Sequence, residues 1–281
     1  MTHWKLVLAY DGTPFHGWQI QPGLSTVQGL LSDTIYRIVG ERVLPQGSGR
    51  TDAGVHALGQ VASFAIEAPI PAVNLHRAMN RCLPPSVRVM SAEVVSADFH
   101  ARHSAIGKTY EYRIFPLKPA PSDVGATEDS ETLASNICPP MLAPFVWPCP
   151  WPLDLAALNR AAGYVLGTHD FTSFAASDPD MTARELDEAP RTPVRTIRHS
   201  AWHAADRLVV YRVTGSGFLH HMVRNLVGTF VQAGAHRLDP DSLPALLAAR
   251  NRAVAGATAP ATGLFLINVN YPMDSMQGGS Q

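Results

Sequence analysis

GSGRTDAGVHALGQVASFAIE, residues 47 to 67, joins a glycine-rich turn to a run that alternates as a strand does. Gly47 and Gly49 let the backbone turn or approach a ligand closely. The TDAG segment reads as a tight turn presenting the Asp52 carboxylate from a loop. An equally ordinary reading has Asp52 capping that turn by bonding its own backbone. Upstream, HWKLVLAY (3–10) alternates as a strand, and DGTPFHGWQ (11–19) is a loop broken by Gly and Pro. Ser25 and Gln28 fit a capping box, Val27, Leu30, Leu31, Ile35 and Ile38 fall on one helical face, and Gly40 ends the helix. Downstream, Val73 to Cys82 reads as a second helix stopped by Pro84 and Pro85, and VRVMSAEVV (87–95) as a further strand. That order predicts an α+β layer, with helices on one face of a largely antiparallel sheet.

KTYEYRIFP (108–116) opens a second round of the same plan, with Tyr110, Tyr112 and Ile114 on one face of a strand. The proline-rich stretch from Pro116 to Pro152 lacks hydrophobic periodicity and reads as an insertion or long loop. Asp154 then caps a helix expected to run through Leu155, Leu158, Ala162 and Val165 to Gly167. HDFTSF is a short extended piece, and residues 177–190 form a second polar insertion. VRTIRHSAW and DRLVVYRVTG predict a hairpin around His203 to Asp206, followed by a helix over GFLHHMVRNLVGTFVQAG with a stripe of Leu219, Val223, Leu226, Val227, Phe230 and Val231. Asp239 caps a last helix with Pro240 at its first position, and GLFLINVNY returns as a strand. Two halves are expected, 1–105 and 106–281, the second with insertions near 119–150 and 177–190. Each resembles a ferredoxin-like split βαβ unit; the two share a mostly antiparallel mixed sheet with a cleft between them.

With 46% hydrophobic and 16% charged residues in 281, the chain is globular and long enough for a sizeable core. No apolar run is long enough to span a bilayer and no signal-peptide pattern opens the chain, so a cytoplasmic protein without membrane contact is expected. Three cysteines, Cys82, Cys138 and Cys149, lack CxxC spacing, which points to buried or inert thiols. The net charge of −1 hides an uneven distribution. Stretches 121–150 and 177–190 hold nine of the 23 acids and one of the 22 basic residues, leaving 21 basic against 14 acidic residues elsewhere. A body at +7 suits a polyanion. Arginine outnumbers lysine 19 to 3, which fits planar, bidentate contacts and fits a GC-rich coding bias equally well.

Several features lend themselves to chemistry at Asp52. Arg50 stands two residues before it, Tyr110 is a strand aromatic that can stack on a base, and Arg224 follows His220 at helical spacing. An arginine on an otherwise apolar helix calls for a carboxylate partner, which would keep Asp52 ionised and oriented. Tyr110 as a rim aromatic and Arg224 as a snorkelling surface residue are the plain alternatives. Asp52, His56 and the pair His220–His221 complete no HExxH or Cys–His ligand set, so no metal is expected. The loop lacks the Lys-Ser/Thr ending of a phosphate loop, and GxSxG is absent.

GRTDAGVHA, DFHARHSAIGKTYEYRI, DFTSF, SGFLHHMVRNLVG and GLFL occur in this order over nearly the whole length, and the chain closely resembles the tRNA pseudouridine synthase A family. The resemblance implies isomerisation of uridine to pseudouridine at positions 38, 39 and 40 of the tRNA anticodon arm, without a cofactor. It implies Asp52 as nucleophile, Tyr110 stacking on the base and assisting deprotonation, and Arg224 as the ion-pairing arginine. Leu264 of GLFL is implied to pack near the flipped base, and Arg50 to fill the place it vacates. His56 and His220 fall in the same blocks and join the substrate-binding set. Family members are homodimers with basic clefts for tRNA. Two other functions compete: a catalytically inactive tRNA-binding or RNA-folding module, and a metal-dependent phosphate hydrolase built on Asp52, His56 and the histidine pair.

Overall fold

The computed structural model describes residues 1–117, 137–176 and 192–272. Among them the chain is α+β, as its sequence predicts, with ten strands and five α-helices. It divides into two compact units, Met1–Thr109 with Phe265–Gln281, and Tyr110–Leu264. The sequence boundary at 105/106 and this one differ mainly in the last strand, which counts with the first unit.

In the first unit, β1 (Thr2–Tyr10) lies antiparallel between β4 (Val87–Val95) and β3 (His56–Ile66). β3 also takes the two-residue β2 (Gln46–Gly47) antiparallel and β10 (Leu264–Asn270) in parallel, with Phe265 opposite His56. Alternation buries Trp4, Leu6 and Leu8 of β1 almost completely. Two helices belong here, α1 (Val27–Val39) and α2 (Ala72–Cys82). Val27, Leu31 and Ile35 of α1 are fully buried, and Gly40 ends the helix at φ 76°. The expected capping box does not form. Thr26 is the cap, accepting from Gly29 N at 3.3 Å. Gln28 is instead buried, accepting from Ile20 N at 3.1 Å and donating to Pro45 O at 2.9 Å, because those loop groups have no ladder partner.

In the second unit, β5 (Gly107–Pro116), β9 (Leu208–Gly215), β8 (Val194–Ala205) and β7 (Gly167–Asp170) are neighbours in that order. The stretch expected to be a long loop is partly ordered structure. Residues 147–149 form β6, parallel to β5, and Val146 and Cys149 are buried. Residues 119–136 of the first expected insertion and all of 177–190 lie outside the described residues. Helix α3 (Leu155–Gly163) is capped by Asp154, which accepts from Ala156 N at 2.8 Å and Ala157 N at 3.3 Å. It stops at Gly163, short of the expected Gly167, which instead opens β7 at φ 94°. The β8–β9 hairpin turns at Asp206, φ 51°, slightly beyond the expected centre.

Helix α4 (Met222–Gly234) has eleven of its 13 residues buried, leaving Arg224 and Gln232 partly exposed. It starts later than expected: Leu219 and His220 precede it, and His221 occupies the cap position at φ 58°. After Asp239 the chain makes a 3₁₀ turn at Pro240–Ser242, and only then the short helix α5 (Leu243–Ala248). Cys149 is buried, which pushes its thiol up, whereas Cys82 and Cys138 are half-buried, and all three are free thiols. No helix among the described residues is long and apolar enough to cross a membrane.

Candidate active site

The Asp52 turn is closed by a bond from Val55 N to Asp52 O at 3.1 Å, with Gly54 at φ 77° in the position where a type II turn needs it. Asp52 is half-exposed at its start. The turn is gripped by the loop from Asp11 to Trp18. Trp18 N donates to Thr51 O at 3.0 Å, and Gly54 N donates to Phe15 O at 3.2 Å. Gly12 N donates to Nδ1 of His56 at 3.0 Å. Two glycines make this approach possible. A Cβ on Gly12 would stand 2.1 Å from Val55 O; one on Gly17, which is at φ 89°, would stand 2.7 Å from Thr51 O.

Behind the turn runs a buried polar network. Tyr10 shares a 2.9 Å hydrogen bond with the Thr51 hydroxyl, and Gln60 Nε2 lies 3.4 Å from the Tyr10 hydroxyl. Gln60 also donates to Gly49 O at 2.9 Å and accepts from the Ser48 hydroxyl at 2.7 Å. Burial pushes the Tyr10 hydroxyl up to about 12 despite the hydrogen bonds to Thr51 and Gln60, so it stays a neutral donor at physiological pH. Lys108 Nζ donates to Ser48 O at 2.7 Å, and the Gly47 backbone lies against the Trp18 indole. Satisfied polar groups of this kind rigidify a buried segment. They fix the backbone on both sides of Arg50 and Asp52.

Of the site residues expected from sequence, Arg50 is half-buried on the same loop as Asp52. His56 is only 1% exposed; its ring stacks on Phe265 at 4.6 Å and its Nδ1 lies 3.2 Å from Asp11 Oδ1. The first unit thus holds Arg50, Asp52 and His56 within one turn and the strand that follows it.

In the second unit, Tyr110 is 8% exposed and meets the Phe218 ring edge-on at 5.0 Å. Arg224 sits in the first turn of α4, where its Nε donates to Ala259 O at 2.8 Å and Ala259 N returns a bond to Arg224 O at 3.1 Å. Burial pushes the Tyr112 hydroxyl well above its ordinary value while the Arg224 charge pulls it back. Helical spacing does not relate His220 to Arg224, since His220 precedes the helix; its ring lies against that of His221 at 3.9 Å. Leu264 is buried at the start of β10, after a 3₁₀ turn at Ala261–Gly263. Gly12, Gly17, Trp18, Tyr10, Thr51 and Gln60 escaped the sequence reading. The paired glycines of DGTPFHGW were the available signal, but a broken loop does not declare what it presses against.

A glycine-backed turn presenting a half-exposed carboxylate, in an α+β chain, defines an enzyme-like site, and comparison with known proteins gives its class. The family model described as tRNA pseudouridine synthase matches residues 6–104 and 161–272, and the chain belongs to that family. Arg50, Asp52, His56, His220, Arg224 and Leu264 lie inside the matched segments, and Tyr110 falls between them. Relatives named tRNA pseudouridine synthase A are similar over nearly the full length. That of Solibacter usitatus is 48% identical over 268 residues, covering 95% of this chain and 98% of the relative. That of Maridesulfovibrio salexigens is 42% identical, covering 95% and 89%, and that of Acetivibrio thermocellus 37% identical, covering 96% and 100%.

Proposed function

We propose that this protein isomerises uridine to pseudouridine at positions 38, 39 and 40 of the tRNA anticodon arm, with Asp52 as the nucleophile. Isomerisation of uridine in tRNA is the activity that the family and the named relatives support. The target positions, the residue roles and a cytoplasmic homodimer are our extension of it. The observation that carries the role of Asp52 is its mount: a half-exposed carboxylate on a turn held through its backbone at Thr51 and Gly54 and through the His56 ring. A nucleophile gains from being held in one geometry before the substrate arrives.

In the reaction the N1–C1′ bond of uridine breaks, the uracil turns, and a C5–C1′ bond forms. C5 gives up its proton and N1 ends protonated, so substrate and product have the same composition. Asp52 supplies the attacking oxygen. Tyr110, held upright by Phe218, offers a flat face to the extruded base, and its hydroxyl is suited to the C5 deprotonation. Arg224 supplies a fixed positive charge, Arg50 fills the position the base leaves, and Leu264 gives the apolar lining near it. The +7 balance outside the two acidic stretches favours the phosphate backbone of tRNA.

Release of tritium from C5-labelled uridine in tRNA tests the reading. Asp52→Asn and Asp52→Ala are expected to abolish release while tRNA still binds. Undiminished release would overturn the assignment of Asp52. A wild-type chain that binds tRNA and releases nothing would make it a binding module instead.

A further inference from the structure

Of the ties described between the Asp52 turn and the Asp11–Trp18 loop, the one at His56 runs through a side chain. Thr51 O and Gly54 N are held through backbone atoms of Trp18 and Phe15, contacts that survive most side-chain changes there. The far end of the turn depends on an imidazole nitrogen. Gly12 N–H points at Nδ1 of His56 at 3.0 Å, and this side chain is 1% exposed. With the ring proton on Nε2, Nδ1 accepts from Gly12 N; Asp11 Oδ1, 3.2 Å from the same nitrogen, is the partner that the other tautomer would take. Stacking on Phe265 with an interplanar angle of 20° fixes the ring plane, so the lone pair has one direction. Gly12 in turn packs directly on the end of the turn, because its Cα faces Val55 O at a distance that excludes a Cβ.

We infer that His56 is a positioning residue, whose Nδ1 ties Gly12 to the end of the Asp52 turn and thereby sets where the Asp52 carboxylate stands. The inference rests on the reading of Asp52 as nucleophile, and it gives His56 a part behind the turn in place of one at the substrate. The physical chain is short. Removing the acceptor leaves the Gly12 N–H, in a buried setting, without the partner it points at. The Asp11–Trp18 loop then relaxes away from Val55, and the turn loses one of its anchors. A misplacement of an ångström at a nucleophile costs up to about 10²-fold in rate, while binding of a large RNA through many phosphates is untouched.

The test uses the full chain and tritium release from C5-labelled tRNA, with kcat and KM measured for His56→Leu, His56→Asn and Asp52→Asn, and thermal melts to check folding. Asn places an amide oxygen close to where Nδ1 stands, and Leu places no acceptor there. His56→Leu is expected to lose about 10- to 100-fold in kcat with KM for tRNA within about twofold, and His56→Asn to recover most of the loss. A folded His56→Leu with wild-type kcat overturns the inference. So does a rise in KM at unchanged kcat, which would put His56 on the RNA, and so does an equal loss in Leu and Asn, which would leave only ring packing. If His56→Leu does not fold, the comparison moves to His56→Asn against His56→Gln, whose amide lies one carbon further out. Asn is then expected to be the faster, and equal rates overturn the inference. Asp52→Asn separates the two claims. Retained release there defeats the nucleophile assignment, whereas an inactive Asp52→Asn beside a fully active His56→Leu defeats only the positioning role.

Discussion

The Asp52 turn and the start of helix α4 both present a candidate catalytic side chain, and they are built by opposite means. At the turn, backbone meets backbone: Trp18 N to Thr51 O, Gly54 N to Phe15 O, with a buried Tyr10–Gln60–Ser48 network behind. At α4 the helix is sunk in apolar contacts, with Leu226, Val227 and Phe230 fully buried, and its cap position is a left-handed His221 without a side-chain cap bond. The turn is fixed by hydrogen-bond geometry, which is directional. The helix is fixed largely by burial, which is not, with bonds to Ala259 added at Arg224. A nucleophile needs its backbone held directionally, whereas the long Arg224 stem on a buried helix takes its direction at the guanidinium, where Nε bonds Ala259 O.

Substitutions can break that contrast. The largest effect is expected at Asp52→Asn, a loss of about 10⁴-fold or more in tritium release with little change in melting temperature. Arg224→Lys keeps the charge and the buried face of α4 but loses the planar fork. Turnover is expected to fall at least about tenfold, or ~1.4 kcal/mol in the barrier, with a smaller change in tRNA affinity; equal losses in both would mean that the arginine serves binding. Gly17→Ala asks whether the grip on the turn matters. With φ at 89° and Thr51 O 2.7 Å from the new Cβ, it should cost about 2 kcal/mol, read as a lower melting temperature, and should lower kcat more than it raises KM. A kcat left at the wild-type value would mean that the turn holds its shape without the Asp11–Trp18 loop. The smallest effect belongs to Asp154→Ala, which removes the α3 cap far from the turn in sequence. About 1 kcal/mol of stability should go, with kcat unchanged.

The elements were legible where local chemistry and tertiary burial agree. Alternation in residues 87–95 predicts β4 residue for residue, and Asp154 and Gly40 end their helices as residue type alone suggests. Legibility failed where two local solutions lie close in energy. Ser25 and Thr26 are both competent caps, and Thr26 won because Gln28 was drawn into bonds with Ile20 and Pro45. HHMVRN has helical periodicity from Leu219 onward, yet the helix starts at Met222, after His221 has taken a left-handed conformation. Periodicity locates a face, while ends are set by whichever cap the surroundings satisfy.

The same division holds for the candidate site. The sequence alone determined that GRTDAGVH is a turn carrying a carboxylate and that the chain belongs with proteins acting on uridine in tRNA, because residue types at fixed spacing are written in the chain. Only the tertiary structure decided that DGTPFHGW, about 33 residues away at its nearest tie from Trp18 to Asp52's neighbour Thr51, is what holds that turn, and that the buried His56 ring bonds Gly12 of the same loop. The ties at Thr51 and Gly54 are between backbone N–H and C=O, which nearly every residue possesses, so no side-chain pattern announces them; they exist only once the fold has brought the two loops together.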